Sequence, residues 1–219
     1  PRWLLFRDVR KFGRVGLYRR AHDGTILGEG DEGELFGDHG PEPLDDAFSV
    51  RDFRQRLRRR RGRLKTTLLD QSFISGVGNI YADEALWRSR LHPLRSADSL
   101  NTDQERRLYE AVRGVMGEAI ERRGSSIDEY TAPEGDGEMQ EHLDAYQRTG
   151  LPCRRCGRPI RRFELNARGT HFCSWCQRLP QSDRTASNAA LVRASRRSAR
   201  RGRNWSELGG PEVAEQRAH

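Results

Sequence analysis

Lysine is almost missing from this chain. Of 40 basic residues in 219, only Lys11 and Lys65 are lysines, and the rest are arginines. Apolar side chains are scarce too, at 34% with a mean hydropathy of −0.91. One generous core shared by the whole chain is therefore excluded, and the apolar residues must be concentrated in part of it. No apolar run reaches the roughly 18 residues that a membrane-spanning helix needs. The start, Pro1-Arg2-Trp3-Leu4-Leu5-Phe6, is too short in apolar residues for a secretory signal. Residues 21–50 hold no Lys or Arg at all, and the cysteines number four. These absences leave a cytosolic polyanion-binding protein as the expectation.

What is present comes in blocks of charge. Residues 1–20 carry +6, 21–50 carry −9, 51–65 carry +8, 128–144 carry −7 and 153–178 carry +6. A basic surface assembled from several segments fits phosphate neutralisation, since each cation placed on a phosphate releases condensed counterions. Solvated faces in an arginine-rich proteome would give the same blocks. For Arg56–Arg63 (RLRRRRGR) both readings stand.

Hydrophobic period divides the chain. Trp3–Phe6, Arg14–Leu17 and Thr25–Leu27 read as short strands, the last behind the turn signal Asp23-Gly24. Residues 28–46 read as an acidic, Gly- and Pro-rich loop. From Val50 onward, Val50, Phe53 and Leu57 share one helical face, and Leu64 and Leu68 continue a second. Thr102-Asp103-Gln104-Glu105 reads as a capping box that opens a helix over 102–122, with Leu108, Val112, Val115 and Ala119 on its buried face. The acidic stretch 128–144 is expected to include a mobile loop around Pro133–Gly137. Beyond Cys176 apolar periodicity fades, and Arg193–Arg203 (RASRRSARRGR) reads as a disordered basic tail.

Cys153, Cys156, Cys173 and Cys176 follow the pattern C-x2-C-x16-C-x2-C. Each pair sets two thiolates on a tight turn, and the spacer returns the second turn to the first, giving tetrahedral four-thiolate ligation of one zinc ion. Two disulfides or free buried thiols are the alternative. With all four positions taken by sulfur, such a zinc is structural. Seven arginines against one Glu over 153–178 suggest that the ribbon touches phosphate.

The segment Leu68–Leu86 reads as helix–turn–helix, with Ser75-Gly76-Val77-Gly78-Asn79 as the turn. Unobstructed N–H groups at a helix start make an anion site, and Asn79 adds a donor beside it. A helix cap without any ligand is the bland reading of the same turn.

Here the residues carry a resemblance. LLDQSFISGVGNIYADEALWRSRLHP is similar to the helix–two-turn–helix signature of the formamidopyrimidine-DNA glycosylase/endonuclease VIII family. Arg168-Gly169-Thr170-His171-Phe172-Cys173-Ser174-Trp175-Cys176-Gln177 resembles that family's C-terminal zinc finger. Asp8-Val9-Arg10-Lys11-Phe12-Gly13 resembles its D-P-R-R-F-G segment, and Gly40-Pro41-Glu42-Pro43-Leu44 its G-P-E-P-L. The four motifs stand in the family's order across residues 8–177. The stretch from about 179 has no counterpart in this resemblance.

The resemblance implies an α+β chain: a partial N-terminal β-domain over 1–46, a helix–two-turn–helix domain over 47–150, a zinc ribbon over 151–178 and a basic tail over 179–219. It implies a base-excision-repair glycosylase/AP lyase, active on oxidised purines such as 8-oxoguanine and formamidopyrimidines, which flips the damaged nucleotide from the stack. The partner would be double-stranded DNA with oxidised bases or abasic sites, bound by a monomer in a bacterial-type, nucleoid-associated cytoplasm. The family's nucleophile is an N-terminal proline followed by a glutamate. Pro1 is followed by Arg2 and lies seven residues before Asp8, where the family has roughly a hundred residues of β-sandwich. Pro1 is therefore not expected to be the nucleophile, no catalytic residue is assigned, and the chain reads as N-terminally truncated.

The remaining roles carry over by residue. Arg10 matches the arginine facing the base left unpaired by flipping, and Phe12 the aromatic wedge that kinks the duplex. Lys65, Gly78 and Asn79 match the phosphate grip of the helical motif. Arg168 matches the finger arginine that holds phosphate near the lesion, and Tyr146 a phosphate-contacting tyrosine before the finger. Val9 and Lys11 depart from the family pattern without removing these groups. The segment Ala132–Met139 differs from the family's base-covering loop, which leaves lesion preference open. Two other functions compete: a non-enzymatic binder of kinked or abasic DNA, and an RNA-binding zinc-ribbon protein.

Overall fold

The structure is a computed structural model and describes residues 19–20, 22, 26–27, 39–122, 124 and 139–201. Residues 19–20, 26–27 and 197–201 are described by backbone alone. Pro1, Arg10, Phe12 and most of the expected loop at 128–144 lie outside the described residues.

Near the start, β1 (Arg19–Arg20) pairs antiparallel with β2 (Ile26–Leu27). Four helices then build the main core: α1 (Val50–Arg58), α2 (Leu64–Leu68), α3 (Asn79–Arg88) and α4 (Thr102–Glu121). The i, i+3, i+7 pattern puts Phe53 and Leu57 of α1 fully inside, where Phe53 meets the edges of the Phe48 and Phe73 rings. Leu108, Val112, Val115 and Ala119 of α4 close the same core, as their spacing requires. Ser49 caps α1 in a reciprocal box with Asp52.

The capping box of α4 differs from expectation by one residue: Asn101 is the N-cap and Gln104 closes the box. Glu105 is unavailable because its carboxylate is buried and forked onto Arg58, at 2.7 and 2.9 Å, with Arg54 at 3.5 Å. A buried carboxylate keeps its strongest cationic partners, and the cap moves to the next competent side chain.

The ribbon follows as a hairpin of β3 (Arg161–Leu165) and β4 (Arg168–Phe172), paired Arg161↔Phe172 through Leu165↔Arg168. Phe163, Leu165 and Phe172 pack with Leu94 and Leu179 in a second, smaller core.

The basic tail is not disordered over its first part. α5 (Ala186–Arg201) packs along β3, with Leu191 and Val192 against the second core. Asn188 fixes its start by donating to the Leu94 and Asp183 carbonyls and accepting from Arg63. The few apolar residues that a period search discounts suffice here because Phe163, Leu165 and Phe172 offer them a ready surface. The α+β class holds, with helices dominating and the sheets kept to two-stranded ladders among the described residues.

Candidate nucleic-acid interface

Gln71 builds the glycine turn. Its Oε1 accepts the Gly76 amide at 2.9 Å, while its Nε2 donates to the Leu69 and Val77 carbonyls. Gly76 sits at φ +76°, in the left-handed region that only glycine enters without strain. Gly78, the N-cap of α3, is in extended backbone with no side-chain cap over the helix start, and a Cβ there would meet no neighbour within 4 Å. The start of α3 is therefore exposed at Gly78 and its first-turn amides lack a side-chain cap, with the positive end of the helix dipole behind them.

The hairpin tip comes to this helix start. The Gly169 carbonyl accepts from Asn79 Nδ2 at 3.2 Å and from Lys65 Nζ at 2.9 Å. Asn79, Lys65 and the residue next to Arg168 thus meet at one carbonyl, drawn from three separate segments. The Arg168 side chain is exposed and has no ion-pair partner among the described residues. It shares a groove of about 590 Å³ with Arg59, Arg60, Arg61 and Asn166. The run 56–63 is accordingly divided. Arg58, Arg60 and Arg63 have internal partners in Glu105, Asp70 and Asn188, whereas Arg59 and Arg61 are exposed beside Arg168.

Lys65 departs from its expected role. Its side chain is wholly buried, and its ammonium binds Asp83 at 2.6 Å as well as Gly169. It locks α2 to α3 and to the finger and does not present a free charge to a phosphate. Burial pulls its pKa down against the opposing pull of the Asp83 carboxylate, and Arg168 and Arg162 add to the lowering.

Two adjacent carboxylates on α3 do the positioning, and sequence reasoning did not single them out. Asp83, fully buried, also accepts the His171 amide at 2.8 Å and faces its Nδ1 at 3.0 Å. Glu84 accepts three successive amides, of Asp144, Ala145 and Tyr146, at 2.8–2.9 Å. Desolvation still raises its pKa above the ordinary value, with the three amides opposing. Tyr146 is thereby held by its backbone, and its ring meets the His171 ring edge-on at 4.9 Å. The signal was there: two acids in the otherwise apolar run Ile80–Trp87 must face either solvent or a partner.

The four cysteines close on one another. Their sulfurs all lie within 4.8 Å, with Cys156–Cys173 at 3.5 Å and Cys153–Cys176 at 4.0 Å. A tetrahedron with zinc–sulfur legs near 2.3 Å has edges of about 3.8 Å. Disulfides, at about 2.05 Å, are excluded. The donor set fits a structural zinc site. Gln177 ties the second knuckle to the helical domain, its Oε1 accepting the Cys173 amide and its Nε2 donating to the Leu91 carbonyl. Arg155 ties the first by stacking on Trp87 at 3.6 Å and donating to the carbonyls of Trp87 and Arg88.

A glycine-turned helix pair closed by a four-cysteine ribbon defines a helix–two-turn–helix protein with a zinc finger. Residues 39–131 match the formamidopyrimidine-DNA glycosylase H2TH domain, and residues 150–179 match the zinc finger found in FPG and IleRS. The chain thus carries, in this order, two regions that match those of formamidopyrimidine-DNA glycosylases. It is similar to the formamidopyrimidine-DNA glycosylase of Herpetosiphon aurantiacus, 50% identical over 177 residues, which are 80% of this chain and 62% of that protein. The Heliobacterium modesticaldum enzyme is 49% identical over 80% of this chain and 61% of its own length. The crystal structure of the Thermus thermophilus Fpg protein superposes with a TM-score of 0.62 at 49% identity, covering 64% of this chain and 54% of that one. Lactococcus lactis Fpg in complex with abasic-site DNA also gives 0.62, at 38% identity over 65% and 52%. The chain spans about three fifths of the length of the curated relatives it matches.

Proposed function

We propose that this chain holds damaged duplex DNA for base excision, as the helix–two-turn–helix and zinc-finger part of a bifunctional glycosylase/AP lyase acting on oxidised purines. The seating of the hairpin tip on the open α3 start, where Asn79 donates to the Gly169 carbonyl and the exposed Arg168 is the next residue, carries the reading. It sets a helix N-terminus beside the hairpin tip that carries an exposed guanidinium, and both groups are suited to phosphate. The Lactococcus lactis neighbours are complexes with abasic-site and Fapy-dG DNA, which favours the same class of partner here.

In this reading Gly78 and Asn79 offer amide donors to a backbone phosphate, Arg168 forks onto a second, and Tyr146 lies within the same cluster. Lys65 acts as a positioning residue through Asp83. Arg10 and Phe12 take the widowed base and the wedge. One zinc ion, held by Cys153, Cys156, Cys173 and Cys176, orders the finger; it does no chemistry, because four thiolates fill its coordination sphere. The protein binds as a monomer. No nucleophile is assigned to Pro1.

Affinity for a duplex with a central abasic-site analogue, against the same duplex undamaged, tests the proposal. Preference for the abasic duplex is expected, with Arg168→Ala weakening it about tenfold or more, the scale of one charge-assisted contact. Equal affinity for both duplexes would remove the damaged-DNA reading. Borohydride trapping on 8-oxoguanine duplex is expected to give no adduct at Pro1, and a trapped adduct there would overturn that assignment.

A further inference from the structure

A second basic groove lies at the opposite end of the hairpin, between the zinc knuckles and α5. It encloses about 740 Å³ and is lined by Arg158, Arg161, Arg178, Arg184, Arg193 and Arg196. Among the described residues no carboxylate lines it, and none of the six arginines is in an ion pair. Trp175, 48% exposed, stands in it with the Arg158 guanidinium 3.6 Å and the Arg178 guanidinium 4.2 Å from its ring centroid. Two guanidiniums that close to one centroid must take opposite faces of the ring. The indole therefore holds both charges in fixed planes, and its faces are already occupied.

Six like charges around one groove repel one another unless an anion enters. Fixed guanidinium planes present forked donors to phosphate oxygens, and lysine could not do this. The groove is not the hairpin-tip site. The register sets Arg161 opposite Phe172 and Leu165 opposite Arg168, so Arg161 and Arg168 share one face of the hairpin at its two ends. They are about 13 Å apart along the strand. α5 closes the far wall, and the matched zinc finger ends at residue 179, before that helix begins.

We propose that the groove between the zinc ribbon and α5 is a second nucleic-acid site, which binds the sugar–phosphate backbone of DNA through Arg158, Arg161, Arg178, Arg193 and Arg196. Only the choice of DNA as the polyanion rests on the function proposed above. The phosphates come either from the duplex already gripped at the hairpin tip, which lies well within one helical turn (about 34 Å) of the groove, or from a second DNA segment.

The test uses the zinc-loaded full chain and the exposed double variant Arg193→Ala/Arg196→Ala, whose fold is checked by zinc content and near-ultraviolet circular dichroism. The salt dependence of binding is measured for both proteins on abasic-site and undamaged duplexes. If the groove holds the same duplex, the log–log slope of the variant falls by roughly 0.9 for each phosphate no longer neutralised. If it holds a second segment, the slope is unchanged, and the wild type, but not the variant, carries a labelled duplex onto an immobilised one. An unchanged slope without bridging overturns the proposal and points to an acidic protein as the occupant. A fall in slope without any abasic preference would remove the repair reading and leave this one standing.

Discussion

The two ends of the zinc-ribbon hairpin handle the same chemistry in opposite ways. At the tip, the buried charges have partners: Lys65 on Asp83, the His171 amide on Asp83, the Tyr146 amide on Glu84. At the base, six arginines share a groove that no carboxylate lines among the described residues. A saturated network fixes geometry and leaves little charge over for a ligand, so at the tip the exposed Arg168 and the α3 amides remain for binding. An unsaturated cluster does the reverse, lowering local stability by self-repulsion while keeping charge available. The lesson concerns counting. The net charge of +8 says little about binding until it is known which arginines are already answered from within.

The largest expected effect breaks both ends at once. Removing the metal with a strong chelator, or changing Cys173 to Ser, should unfold the ribbon, since structural zinc contributes on the order of 10 kcal/mol to such small modules. Gly169 and His171 then leave Lys65 and Asp83, and Arg161 leaves the groove. Zinc content and near-ultraviolet circular dichroism should fall together, and DNA binding at the tip and at the base should disappear in parallel. A metal-free chain that keeps its tertiary signal would show that the ribbon stands without zinc.

Next in size is the tip alone. Asp83→Asn leaves Lys65 buried without its counter-ion, and breaking such a pair on one side costs about 3–5 kcal/mol. Adding Lys65→Met to that variant should restore much of the loss, because a buried pair replaced from both sides by apolar groups is often neutral. Urea unfolding of the two single variants and the double variant completes the cycle. Independent, additive losses would mean that the pair is not the lock described above.

These cases also show what the sequence made legible. The zinc site could be read because ligand spacing is a local constraint: two tight turns and a returning strand need nothing else from the fold. The four-helix core could be read because Phe53, Leu57, Leu108 and Val112 repeat with helical period. Asp83 and Glu84 could not, because their partners, His171 and the amides of 144–146, are some sixty to ninety residues away. The same distance hid α5. Its two docking side chains, Leu191 and Val192, are too few to mark a helix in an arginine-rich stretch, and its cap partner Arg63 lies 125 residues upstream of Asn188. Lys65 was legible as special, but its burial on Asp83 and the Gly169 carbonyl was not, since neither rarity nor a motif match shows whether a charge faces water.

A smaller effect tests the base of the hairpin through pH. His92 lines the arginine groove at its floor, its ring edge-on to Phe172 at 4.8 Å and its Nδ1 accepting the Leu94 amide. Burial pushes its pKa from the ordinary 6.5 down to about 3. Between those values the unfolded chain takes up a proton that the folded chain refuses. The stability contributed by His92 is therefore complete above pH 6.5 and is lost as pH falls toward 3, with a slope of at most about 1.4 kcal/mol per pH unit. His92→Asn keeps an acceptor for the Leu94 amide and cannot titrate. The difference in stability between the two proteins should shrink steadily below pH 6.5. A constant difference down to pH 4 would place a charged histidine in the folded state.

The smallest expected change in stability belongs to the tip, and it separates fold from function. Gly76 and Gly78 stand two residues apart in one turn, yet they differ in what they require. Gly76→Ala places a Cβ at φ +76° and should cost about 1 kcal/mol, even though its nearest neighbour, Met116, is 3.5 Å away and leaves room. Gly78→Ala meets neither strain nor neighbour, at φ −90° and ψ −177°. A few tenths of a kcal/mol gained in the unfolded chain should roughly offset those lost at the N-cap. Its melting curve should overlay the wild type. The added methyl group does stand at the uncapped start of α3, where a phosphate oxygen would approach the backbone. Affinity for the abasic duplex should therefore fall for Gly78→Ala while the salt slope set by the arginines stays as it was. If affinity is also unchanged, the α3 start is only a helix cap, and the grip at the tip rests on Arg168 and its arginine neighbours.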